Sequence, residues 1–125
     1  MTLLPAPAVT TVTLYGIPNC DTVKRARAWL ADAGYLVVLH DFKKQGVPLP
    51  ELDAWLVTLG WETLLNRQGT TWRKLDEATR VAVTDAASAR AVMLAAPSTI
   101  KRPVIRWGEG AALTVGFAAD FKPPL

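Results

Sequence analysis

The first hydrophobic segment is the run TTVTLYGI at residues 10–17, which is rich in β-branched and aromatic residues and ends before Pro18. A short run of this kind is typical of a buried β-strand. Residues 20–34 change to a helical spacing of apolar positions, and Gly34 is placed to end that helix. The apolar face of the helix consists of Val23, Ala26, Leu30 and Ala33. The pattern therefore predicts a strand followed directly by an amphipathic helix.

A second strand is predicted at residues 35–42, YLVVLHDF, where the apolar run is nearly continuous. Continuous apolar runs are expected of strands that are covered on both faces. Strand, helix and strand in this order predict a βαβ unit, whose strands are parallel and whose connection is right-handed.

The middle of the chain has helical periodicity and the end has the periodicity of strands. Helices are predicted at residues 48–60 and 84–97, with short helices broken around Gly69 at 61–83. Residues 102–117 contain two β-rich runs around Gly-Glu-Gly, which predicts a hairpin with a loop longer than two residues. The order β-α-β, helical insert, α-β-β is that of an α/β thioredoxin-like fold with a mixed sheet, although the order alone fits other α/β folds.

Length and composition indicate one domain, which we place at residues 11–125. Residues 1–10 are apolar but contain two prolines and no basic residue, so we expect a loose leader instead of a signal peptide. The single cysteine cannot form an internal disulfide. Because the chain also contains only one histidine, no metal site is expected. No apolar segment reaches the roughly 20 residues that a membrane span needs. The net charge of +3 is too evenly spread to indicate nucleic-acid binding.

The cysteine stands at a chemically informative position, directly after the turn-forming Pro18-Asn19 and at the start of the first predicted helix. Unpaired N–H groups and the helix dipole stabilise a thiolate at such a position. Asn19 and Thr22 are placed to add hydrogen-bond donors near the sulfur of Cys20. The alternative is that Cys20 is an inert, packed side chain, since unpaired cysteines are among the most buried residues.

Three segments, TLYGIPNCDTVKRARAWL at 13–30, LLNRQGTTWRKL at 64–75 and KRPVIRWG at 101–108, together resemble the arsenate reductase (ArsC) family. That family also includes the Spx-type regulators and the YffB-type proteins. The YffB-type branch is the most similar, because of NCDT at 19–22 and GTTW at 69–72. The resemblance implies a thioredoxin-like fold over nearly the whole chain.

The resemblance also implies roles for individual residues. Cys20 would be the nucleophile, and Arg102 would contact an oxyanion. A second contact is expected from an arginine after the Leu-Leu pair, but Arg67 meets it only with a shift of one residue, because Asn66 comes first. Whether Arg67 or Asn66 holds that position stays open here. Pro103 would be a cis proline that faces the thiol, and the alternative is an ordinary trans proline at the start of a strand.

Two departures from the family pattern narrow the expected function. The segment LTVGFAADFKPPL at 113–125 contains no arginine, whereas arsenate reductases of this type carry a third one there. This argues against arsenate itself as the substrate. Val23 stands three residues after Cys20, where Spx-type regulators usually carry a second cysteine, so an internal redox switch is excluded.

We therefore expect a cytoplasmic thiol-dependent reductase that uses Cys20 as its one nucleophile, with no bound cofactor. The adduct on Cys20 must then be resolved by an external thiol, with glutathione as co-substrate or a glutaredoxin as partner. The alternative is an Spx-like protein that binds RNA polymerase by surface contacts. Neither function requires a membrane or direct contact with nucleic acid.

Overall fold

The structure, a computed structural model, describes residues 10–110, 112–118, 121 and 123–124. The predicted leader at 1–10 therefore lies outside the described residues except for Thr10, whose carbonyl accepts a hydrogen bond from Leu36 N–H at 3.0 Å. The strands are β1 (Thr11–Gly16), β2 (Leu36–Asp41), β3 (Val104–Trp107) and β4 (Leu113–Val115). The helices are α1 (Asp21–Asp32), α2 (Phe42–Gln45), α3 (Leu49–Leu59), α4 (Trp61–Leu64), α5 (Thr70–Lys74), α6 (Glu77–Val81) and α7 (Ala86–Ala95), with a 3-10 turn at Pro97–Thr99.

The strands form one sheet in the order β2-β1-β3-β4. β1 pairs in parallel with β2, while β3 is antiparallel to both β1 and β4. Tyr15 in β1 lies between His40 of β2 and Val104 of β3. The predicted α/β class, the mixed sheet and the order of elements are confirmed. Because β3 runs antiparallel to β1, the end of β1 and the start of β3 lie at the same end of the sheet. Cys20 follows β1 and Arg102 precedes β3, so both residues lie at that end.

Helix α1 covers one face of the sheet, as its apolar spacing predicts. Its side chains Val23, Ala26 and Leu30 are fully buried against Leu14 and Trp107. Burying a side chain of valine or leucine size contributes about 1.5–3 kcal/mol, so this face fixes the helix firmly on the sheet. The position of the first turn of α1, and of Cys20 before it, follows from that packing.

The helical insert covers the opposite face. Its core residues surround Tyr15 and Val104, and they are Leu52, Trp55, Leu64, Leu65, Ala89 and Met93. Asp85 caps α7 through a reciprocal capping box with Ser88. The short helices α4, α5 and α6 confirm the broken pattern predicted at 61–83.

The prediction that the second strand is covered on both faces is wrong. β2 is an edge strand, and its Leu36 and Val38 are 56% and 46% exposed. The strand ends at Asp41 because the Asp41 carboxylate accepts from Lys43 N–H at 2.8 Å and begins α2 there. None of the helices in the described ranges is long and apolar enough to cross a membrane.

Candidate active site

Cys20 is the residue from which α1 begins. Its backbone is extended, with φ −101° and ψ 127°, and its carbonyl accepts the first helical hydrogen bond from Lys24 N–H at 2.9 Å. Its side chain makes no capping hydrogen bond to the helix. Cys20 stands at the positive end of a twelve-residue helix, where it packs against the core under α1 and stays partly exposed. This partial exposure favours a reactive thiol over an inert core cysteine.

A cleft of about 290 Å³ opens beside the thiol. Its lining residues come from four separate parts of the chain: the start of α1, the loop after α4, the segment before β3 and the residue after β4. They are Cys20, Thr22, Asn66, Lys101, Arg102 and Gly116. No carboxylate belongs to this set of described residues, and two of its members are cations. The cleft is therefore electrostatically suited to an anionic group beside the sulfur.

Backbone pairing brings the loop after α4 to the cleft. Asn66 N–H donates to the Thr99 carbonyl at 2.7 Å, and Lys101 N–H donates to the Leu64 carbonyl at 2.8 Å. These two hydrogen bonds flank an isolated antiparallel bridge, and they align the side of the loop that carries Asn66 with the segment that carries Lys101. Residues more than thirty positions apart in sequence thus line one cleft.

Arg102 reaches the cleft across Gly16. A Cβ added to Gly16 would stand 3.0 Å from a methyl carbon of Val23 and 3.7 Å from Arg102 Cβ. The missing side chain therefore lets α1 and Arg102 pack closely over the end of β1. The Arg102–Pro103 peptide bond is cis, which is the conformation that the family resemblance implies. Pro103 itself is buried and does not line the cleft.

Two residues of the predicted site lie elsewhere. Asn19 is exposed on the turn before Cys20 and does not line the cleft. Arg67 is also exposed, and its guanidinium carbon lies 5.6 Å from the ring centre of Trp61. It lines a neighbouring hollow of about 180 Å³ instead. Asn66 lines both the cleft and this hollow, whereas Arg67 lines the hollow, and which of them contacts an oxyanion stays a prediction.

Lys101 is the cleft residue that the sequence reasoning missed. It is exposed and lines both the cleft and the neighbouring hollow. The signal was present, because Lys101 directly precedes Arg102 in the KRP sequence. Two consecutive residues reach the same cleft here because the chain is in an irregular segment, outside the strict alternation of a strand.

A second hollow, of about 280 Å³, lies between α3 and the β3–β4 hairpin, and its lining includes Glu51, Trp55 and Arg106. Nearby, burial raises the pKa of Tyr15, the Arg106 guanidinium partly offsets this, and the Glu51 carboxylate adds to it. The phenol therefore stays protonated at neutral pH. This hollow contains no thiol among its described lining residues, whereas the candidate nucleophile Cys20 lines the cleft described above.

Comparison with known proteins identifies the family of this chain. The sequence model of the ArsC family matches residues 15–121. An uncharacterized protein of Haemophilus influenzae is 43% identical over 106 residues, which cover 85% of this chain and 90% of that protein. The solved YffB protein is 48% identical, with a TM-score of 0.79, and the match covers 87% of this chain and 93% of that one.

A second solved structure is an arsenate reductase (ArsC) related protein from Brucella melitensis. It is 52% identical, with a TM-score of 0.73, over 91% of this chain and 92% of that chain. The fold of these relatives is thioredoxin-like, which confirms the predicted fold, and the predicted likeness to the YffB-type branch is confirmed as well. The chain belongs to the ArsC family.

Proposed function

We propose that this protein is a thiol-dependent reductase in which Cys20 is the nucleophile and glutathione is the external reductant. The observation that carries the proposal is the partly exposed thiol at the start of α1, in a cleft that also contains Lys101 and Arg102. The start of a helix and two cations place positive charge around the cleft that the sulfur lines. Likeness to an arsenate reductase related protein supports reductase chemistry in general.

The proposed reaction is a pair of thiol–disulfide exchanges. The Cys20 thiolate attacks the glutathionyl sulfur of a mixed disulfide, the old S–S bond breaks, and the substrate leaves as a thiol after taking up a proton. A second glutathione thiolate then attacks the Cys20–glutathione disulfide. This releases oxidised glutathione and restores the Cys20 thiolate. The two electrons come from glutathione, so no bound cofactor is needed.

Glutathione is the favoured partner because it carries carboxylates close to its thiol. The Arg102 guanidinium presents a planar fork that matches a carboxylate, and Lys101 adds a second positive charge at the same cleft. Thr22 is partly buried at the cleft wall, where its hydroxyl and backbone N–H lie in the first turn of α1. A glutaredoxin is the alternative source of the resolving thiol.

Arsenate is a weaker candidate than a glutathione mixed disulfide. The sequence from Leu113 onward contains no arginine, so the third guanidinium expected for arsenate is missing. Arg67, the other arginine considered for an oxyanion contact, does not line the cleft either. A doubly charged oxyanion thus meets one guanidinium and one ammonium here. We also propose a reducing, cytoplasmic setting, in which a single thiol is kept available for exchange.

A direct test is whether Cys20 forms a disulfide with glutathione. Incubation with oxidised glutathione should add one glutathione per chain by mass spectrometry, and reduced glutathione should then remove it. Cys20→Ser is the matched control and should take up none. If the wild-type thiol can be titrated but no adduct forms, glutathione does not reach the site, and the proposed reductant is wrong.

A further inference from the structure

The outer edge of β2 presents backbone groups that no described part of the chain pairs. β2 lies at the end of the sheet, and β1 is its one neighbour among the described strands. Leu36 N–H donates to the Thr10 carbonyl at 3.0 Å, so Leu36 and each second residue after it bond to β1. Val37 and Leu39, which alternate with them, therefore direct their N–H and C=O groups to the open edge.

The open edge is bounded at both ends. On one side, Tyr35 N–H donates to the Leu30 carbonyl at 3.0 Å. On the other side, Asp41 N–H donates to Gln45 Oε1 at 3.1 Å. The chain thus satisfies the outward donors that flank the edge and leaves open a short stretch that is centred on Val38.

The side chains of this stretch lack the features that normally protect an edge strand. Residues 36–39 read Leu-Val-Val-Leu, without a charge or a proline. Leu36 and Val38 share the face of the sheet that carries Tyr15, and both are exposed. An aliphatic edge with unpaired backbone groups is a template for a further strand.

The other face of the edge has space for an incoming side chain. Val37 borders a hollow of about 410 Å³ between β2 and α1. Its walls include the small side chains of Ala28 and Ala31, with the longer Lys24 and Arg27 beside them. An aliphatic side chain that arrives next to Val37 from outside the sheet would enter this hollow.

A second copy of β2 matches the edge in spacing and in length. In an antiparallel pair with its two-fold axis at Val38, Val37 of each copy exchanges both backbone hydrogen bonds with Leu39 of the other. The two Val38 side chains then lie opposite each other. Leu39 of one copy reaches the hollow beside Val37 of the other. The pairing places no two like charges opposite each other within residues 36–40.

We propose that this protein self-associates through β2, as a two-fold antiparallel pair that joins two sheets into one continuous sheet. The seam is a single pair of short strands, so the dimer is of the weak, reversible class. Because the two copies run in opposite directions, their Cys20 clefts lie at opposite ends of the joined sheet. The association is independent of the chemistry proposed for Cys20.

Engineered cysteines in the full-length Cys20→Ser protein test the register of the pair. Residues opposite each other at the centre of the seam have Cα atoms about 4.5 Å apart, within the range that a disulfide spans. The two copies of residue 36 are separated by roughly 13 Å along the strands, which is too far. With diamide as oxidant, Val38→Cys should therefore form the cross-linked dimer about tenfold faster than Leu36→Cys. Leu36 is the matched control because its side chain is the more exposed of the two.

Sedimentation velocity tests the association without a cross-link. The wild-type protein should form a dimer that dissociates on dilution. Val38→Lys places two like charges opposite each other and should raise the dissociation constant of the dimer by about tenfold or more. Val57→Lys makes the same change at an exposed position of α3, away from β2, and should leave the dissociation constant unchanged.

Equal rates of cross-linking at residues 36 and 38 would indicate random collision and would overturn the proposed pairing. A wild-type protein that stays monomeric at every concentration, without cross-linking at residue 38, would overturn the self-association itself. The same holds if both lysine variants weaken the dimer equally. The cysteine variants keep the test decisive if the melting temperature shows that Val38→Lys disturbs the fold.

Discussion

Leu65 and Ile100 face each other across an isolated antiparallel bridge that joins the helical insert to the segment before β3. Both side chains are buried in the core around Trp55. The residues that follow them, Asn66 and Lys101, are the ones that reach the Cys20 cleft. This buried pair therefore joins the core to one wall of the cleft.

Ile100→Ala should lower the free energy of unfolding by about 2–5 kcal/mol, because it leaves a cavity at a fully buried position. Urea denaturation followed by tryptophan fluorescence measures this loss. Val57→Ala is the matched control, since Val57 is 87% exposed, and it should change the unfolding free energy by less than about 0.5 kcal/mol. A similar effect of both substitutions would contradict the assignment of Ile100 to the core.

The reactivity of Cys20 tests whether its position at the helix start has chemical consequences. At pH 6.5 we expect iodoacetamide to modify Cys20 about tenfold faster than it modifies N-acetylcysteine, because Cys20 stands at the positive end of α1 and lines a cleft with two cations. Labelling should be lost in Cys20→Ser. A rate equal to that of N-acetylcysteine would mean that the thiol behaves as an ordinary exposed cysteine.

The elements of the fold were predictable because each depends on local sequence. The spacing of Val23, Ala26 and Leu30 specifies α1, and the Asp85 cap begins α7. The exposure of Leu36 and Val38 was not predictable, since an apolar run does not show whether its strand lies inside a sheet or at the edge. That property depends on which strands pair, and hence on distant parts of the chain.

The candidate site was likewise predictable from the sequence only in part. Cys20 is recognisable from the sequence because a turn and a helix start surround it. Asn66 and Lys101 reach the cleft through backbone hydrogen bonds to Thr99 and Leu64, which no local pattern reveals. Arg67 carries the chemically expected group, but in the folded chain its guanidinium packs over Trp61.

The stability of the fold should fall at acid pH, because an aspartate caps α7. Hydrogen bonds from the Ser88 side chain and backbone hold the pKa of Asp85 below its ordinary value. A lowered folded-state pKa means that the stabilisation is complete above the unfolded value of about 3.9 and is lost as the pH falls through the folded value. Asp85→Asn keeps a capping acceptor but does not titrate. Its melting temperature should therefore fall less between pH 5 and pH 2.5, in scanning calorimetry, than that of the wild type; parallel curves would exclude this role.

Arg102 should contribute to ligand binding through both its charge and its shape. Arg102→Ala should weaken the binding of S-methylglutathione by about 1.5–3 kcal/mol, the usual contribution of a hydrogen bond to a charged group. Arg102→Lys should recover only part of this, because lysine keeps the charge and loses the two-pronged donor geometry. Isothermal titration calorimetry of the Cys20→Ser background measures binding without disulfide exchange.

Arg67→Ala is the matched control for Arg102, because it removes the same type of side chain from a neighbouring position that does not line the cleft. Its affinity for S-methylglutathione should stay within about twofold of the wild-type value, as expected for an exposed charge outside the contact region. A loss as large as that of Arg102→Ala would show that Arg67 leaves Trp61 and enters the cleft when ligand binds. Equal and small effects of both substitutions would instead show that the ligand's negative charge is held by Lys101 and the start of α1, with the Arg102 guanidinium turned toward solvent.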